Sequence, residues 1–144
     1  MKKIIFILTL TLIFTCNSED AGVCFQTSGS IIQQEITVNA FSKILVNRDV
    51  ELILTDGLEF EVIIETGENL LNDVGVLVVG DVLQLTDNNT CNYVRDFGIT
   101  KIYVTAPNIT EIRSYTQYDL SSDGILNYNS LHLISEDFNA PDSF

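Results

Sequence analysis

Chemically versatile side chains are scarce in this chain. It carries a single histidine, His132, and three cysteines, Cys16, Cys24 and Cys91, with no Cys-x-x-Cys spacing. The nitrogen and sulfur ligand sets of zinc and related metals therefore cannot assemble. A serine triad would have one histidine to draw on and no nucleophile-elbow motif beside it. Basic residues are equally thin, with 7 Lys+Arg against 20 Asp+Glu and a formal net charge of −13. Without Lys2 and Lys3 the count is 5 against 20, or −15. Such a surface repels nucleic acid and anionic lipid head groups, so nucleic acid is not an expected partner. Proline is rare and no long 3.6-residue periodicity appears, which argues against both disorder and helical architecture.

What is present begins with a leader. A basic head, Met1-Lys2-Lys3, precedes the apolar-rich stretch IIFILTLTLIFT, residues 4–15. That length suits a signal-peptide core and falls short of the roughly 20 residues a spanning helix needs. Cys16 follows, preceded by Ile13, Phe14 and Thr15 in a loose version of the lipobox, where Phe14 is bulky for its slot. The polar spacer Asn17-Ser18-Glu19-Asp20 resembles the acidic signal that sends lipoproteins to the cell surface in some Gram-negative groups. The expectation is a signal peptide at 1–15, a lipidated Cys16 and a polar linker at 16–30. Ordinary secretory cleavage and an uncleaved anchor are the alternatives. This reading makes the chain an outer-membrane lipoprotein, facing the periplasm or the cell surface, with the membrane as a partner through its lipid. An acylated Cys16 leaves Cys24 and Cys91 to pair as a disulfide in an oxidising compartment, with two buried thiols as the alternative.

Residues 31–144 read as one all-β domain. Strand-like runs occupy 31–38, 43–47, 50–54, 59–65 and 99–105, the last alternating Ile99, Lys101, Tyr103 and Thr105 against Thr100, Ile102 and Val104. Residues 76–86 form a hairpin around Gly80-Asp81, a pair suited to a tight primed turn. Residues 66–74 offer one short helical turn, and 87–98 a polar loop. EIRSYTQY (111–118) lies over HLISEDFN (132–139) at an offset of 21, with Ile112 over Leu133, Ser114 over Ser135 and Tyr118 over Asn139. Two such copies suggest stacked rungs of a coiled sheet, and chance alternation in two strands is the alternative.

Phe41, Leu52 to Leu54, Glu65, Asn69-Leu70-Leu71, Leu83 to Leu85, Tyr103 to Pro107 and Ile112 carry a resemblance to the head GIN domain family, most specifically in ETGENLL and YVTAPNITEI. The match covers about residues 31 to 135. It implies antiparallel and mixed strands leading into a short right-handed parallel β-solenoid, in an exported, adhesin-like protein. The family supplies no catalytic residues to carry over. Its members have Ser-Gly-Ser-Gly-like turns where this chain has SYTQYDLSSDG, and they continue through further rungs where it has NAPDSF. The domain is therefore expected to stop inside its fold, with Phe138 and Phe144 suited to a core that continues.

Two functions fit. The first is a non-catalytic, lipid-anchored envelope protein whose sheet presents a binding or adhesive surface to a glycan or protein, with Tyr115 and Tyr118 as its aromatic contacts. The second is a carbohydrate-active enzyme, or a fragment of one, acting through carboxylates alone; Glu59, Glu61 and Glu65 read as solvated positions, not a convergent cleft. His132, between Leu131 and Leu133, reads as a surface residue. No metal is required. Ca²⁺ is the better cofactor candidate, because hard oxygen ligands suit it, from Asp87 and Asn89 in one loop or Asp123 in another, although neither loop has EF-hand spacing.

Overall fold

The computed structural model describes residues 24–89, 91–96 and 98–136. These form two open, mixed β-sheets stacked face to face. In chain order the strands are β1 (Ile31–Ile36), β2 (Lys43–Val46), β3 (Glu51–Asp56), β4 (Glu61–Gly67), β5 (Val74–Val79), β6 (Val82–Asp87), β7 (Lys101–Ala106), β8 (Glu111–Ser114), β9 (Leu120–Ser122) and β10 (His132–Ser135). The first sheet has the order β1-β4-β7-β3-β9 and the second β10-β8-β2-β6-β5. The predicted helical turn reduces to a 3-10 turn at Leu71–Asp73.

Period-two alternation decides which side chains enter the core. Leu52 and Leu54 of β3, Val62 and Ile64 of β4, and Ile102 and Val104 of β7 are buried from the first sheet. Ile44 and Val46 of β2, Leu83 and Leu85 of β6, and Ile112 of β8 meet them from the second. Parallel pairing stacks like positions in register. Leu83 lies beside Ile44, Ile44 beside Ile112, and Ile112 beside Leu133. The β8–β10 register joins Glu111 to His132 and Ser114 to Ser135, so the offset of 21 read from the sequence is the real one. Asn139, the proposed mate of Tyr118, lies outside the described residues.

Rung order departs from simple succession. Across the second sheet β2 lies between β6 and β8, and across the first β3 lies between β7 and β9. Antiparallel β4 and β5 carry the chain to one side of the β2–β3 pair, and β8 returns it to the other. Among the described residues, parallel neighbours that follow one another within a single sheet occur only at β8 and β10. The sequence contains no sign of this crossing, because each strand's alternation reports its own face and not its neighbour.

Two further local differences have simple causes. β1 ends at Ile36, where its pairing with β4 ends at Val62. β9 has no counterpart among the strand-like runs of the sequence, because Leu-Ser-Ser lacks β-branched alternation; it pairs in parallel with the edge of β3. The 76–86 hairpin holds, with Val79 opposite Val82 and a positive φ of 63° at Gly80. Asp81 has no positive φ. Only the first turn position needs glycine's freedom, as in a II′ turn.

Candidate binding surfaces

The most specific sequence segment, ETGENLL, holds the N-terminal strand in place. Gly67 ends β4 directly against the segment before β1, and a Cβ there would lie 2.2 Å from the Ser28 carbonyl oxygen. Only glycine admits that approach. Asn69 then donates twice, its backbone N–H to the Ser28 carbonyl and its side-chain amide to the Thr27 carbonyl. The Glu68 N–H donates to the Ser30 carbonyl and its carboxylate accepts from the Ser30 N–H. Leu70 is buried beneath. On the same side, Cys24 and Cys91 form a disulfide with Cα atoms 4.6 Å apart and a sequence separation of 67. Cys16 lies outside the described residues.

The two calcium candidate loops are separate. Both Asp87 carboxylate oxygens accept internal bonds: Oδ1 from the Asn89 backbone and side-chain N–H groups, Oδ2 from Thr100 Oγ1 at 2.6 Å. With its proton so used, Thr100 accepts from Thr66 Oγ1 at 2.9 Å, and both threonines are fully buried. The Arg95 guanidinium crosses the same loop, donating to the carbonyls of Gln26, Asn89 and Cys91, so a cation already sits there. Asp123 lies past β9, where its N–H bonds the Leu54 carbonyl, while Thr100 bonds Glu51 at the other end of β3. The two candidate loops thus sit at opposite ends of the first sheet. Among the described residues no group of three or more His, Cys, Asp or Glu side chains is placed to hold a metal ion.

The two predicted aromatic contacts also separate. Tyr115 follows β8 and is 39% exposed. Tyr118 is half-buried, its ring against Gly98, where a Cβ would lie 2.7 Å from Cε1. Burial, then the negative charge of Asp49, pushes its phenol above the ordinary range. His132 is exposed, as read. Leu133 is 45% exposed despite its inward register, because β10 is the last strand of its sheet among the described residues.

Sequence reasoning passed over the outer face of the first sheet. There Ile63, Tyr103 and Ile53 stand side by side on β4, β7 and β3, forming a half-buried row between Glu35 and Ser121. A polar row, Gln33–Glu65–Lys101–Glu51, flanks it. Gln33 donates to Glu65 at 2.6 Å, the Tyr103 hydroxyl to the other Glu65 oxygen at 3.5 Å, and Lys101 to Glu51 at 3.3 Å. That hydrogen bond and the charge on Glu51 hold the Lys101 ammonium above its ordinary pKa. Burial first, then the Glu65 carboxylate, raises the Tyr103 phenol. Alternation had already put Lys101, Tyr103 and Thr105 on one face; the cross-strand partners that make this a surface were not readable from one strand.

Residues 40–139 match the profile of a family described as "Putative auto-transporter adhesin, head GIN domain". The chain belongs to this family. Solved structures with the same fold include three described as a "putative adhesin". One from Parabacteroides merdae is 15% identical with a TM-score of 0.63, and the alignment covers 74% of this chain and 44% of that one. One from Bacteroides fragilis is 16% identical with a TM-score of 0.57, covering 76% and 53%. A third, from Parabacteroides distasonis, is 14% identical with a TM-score of 0.55, covering 67% and 41%. The head GIN chain thus spans about half the length of these structures or less. No curated protein matches it.

Proposed function

We propose that this head GIN chain is a non-catalytic, lipid-anchored cell-envelope protein whose first sheet presents a binding or adhesive face centred on Tyr103. Family membership is the observation that carries the reading, since the family's description names an adhesin head. The Cys24–Cys91 disulfide supports an oxidising, exported location. The parallel β6–β2–β8–β10 and β7–β3–β9 stacks support reading part of the domain as a short β-solenoid, whose faces suit extended ligands.

A glycan fits the Tyr103 face best. An aromatic ring with carboxylate, amide and ammonium groups in the adjoining row offers both a stacking surface and hydrogen-bond partners for hydroxyls. Glu61 and Glu65 lie four residues apart on one strand, roughly 13 Å along it, and do not face each other across a cleft. The test is a panel of polysaccharides offered to the mature chain carrying Cys16→Ser, scored for binding and for product release. Binding without turnover is the expected result. Turnover abolished by a single Glu or Asp substitution would replace this reading with an enzymatic one.

A further inference from the structure

A second surface collects apolar side chains near the N-terminal end of the described chain. Phe25 is 62% exposed, Tyr93 75% and Val94 51%. The two rings touch with centroids 5.8 Å apart. They are not loose: the disulfide joins the residues beside them, the Tyr93 N–H donates to the Cys24 carbonyl at 3.0 Å, and Arg95 ties the loop to Gln26. Exposed rings carried on a tethered backbone lower the ordering cost of binding.

Position in the fold suggests what covers it. Cys16 precedes Cys24 by eight residues, which extended chain spans in at most about 28 Å. The segment from Cys24 leads into β1, the edge of the first sheet opposite β9. We propose that Phe25, Tyr93 and Val94 rest in the interfacial region of the phospholipid bilayer that receives the Cys16 lipid. The end of the sheets that carries this loop would then face the membrane. Aromatic rings favour that layer. The acidic surface selects zwitterionic lipid. The inference rests on the lipid-anchor reading above.

The test uses the full chain, made in a host that acylates lipoproteins and reconstituted in phosphatidylcholine vesicles with or without dibromostearoyl chains. The sequence has no tryptophan, so tyrosine emission is unobscured. Mass analysis of the N-terminal peptide reports acylation of Cys16 separately. In the acylated protein, brominated lipid should quench part of the emission. Tyr93→Ser should lower the quenched fraction at least threefold, and Tyr115→Ser should leave that quenching in place. An acylated chain that is not quenched, or is quenched equally in Tyr93→Ser, overturns the inference and leaves the anchor reading standing. A chain with unmodified Cys16 overturns both.

Discussion

Two residues show how narrowly single positions are set. Gly67 exists to let the backbone of residues 27–30 approach, and Gly67→Ala would drive a methyl into the Ser28 carbonyl. The expected loss is about 1–3 kcal/mol in urea unfolding, with exchange protection lost first in β1. A neutral Gly67→Ala would show that the segment is not clamped. Tyr128 reports the opposite corner, donating its hydroxyl proton to the Ala106 carbonyl at 3.0 Å. Burial, reinforced by Asp56, pushes this phenol up to about 12 from the usual 10.0. The folded state thus keeps a proton that the unfolded state has lost. Its contribution is complete below pH 10 and disappears as pH rises through about 12. Stability should decline across that window, and Tyr128→Phe should flatten the decline. An unchanged slope in that variant would contradict the assignment.

At the scale of elements, the stack predicts a gradient from closed to open. Ile112 and Leu133 occupy the same register position on adjacent strands, yet Ile112 is buried and Leu133 is 45% exposed. Ile112→Ala should cost about 2–5 kcal/mol, as core truncations do, and Leu133→Ala well under half of that. Equal costs would mean that β10 is covered on both sides. At the other end the disulfide closes a 67-residue loop, and Cys91→Ser should cost about 4 kcal/mol on chain-entropy grounds. Thermal denaturation with and without reductant checks this. The strands themselves were legible because alternation such as Thr100, Ile102 and Val104 against Lys101 and Tyr103 is a local signal. The 21-residue register was legible because β8 and β10 repeat one pattern. β9 and the insertion of β2 and β3 between later strands were not, since both depend on which edge is free once the rest has folded.

For the whole molecule, the candidate sites divide in the same way. Cys24 and Cys91 could be paired by counting. Aromatic content alone singles out Tyr115 and Tyr118, and the fold sends one to the surface and the other against Gly98. The Tyr103 face needs three strands distant in sequence, Glu51–Asp56, Glu61–Gly67 and Lys101–Ala106, before it exists at all. Its role as the ligand face is the central claim. The measurement that tests it most directly is the affinity of wild-type and Tyr103→Ala chains, both confirmed folded by circular dichroism, for the glycans retained in the binding panel. The account predicts at least a tenfold rise in Kd for Tyr103→Ala and little change for Tyr115→Ala. Equal affinity of wild type and Tyr103→Ala would contradict it.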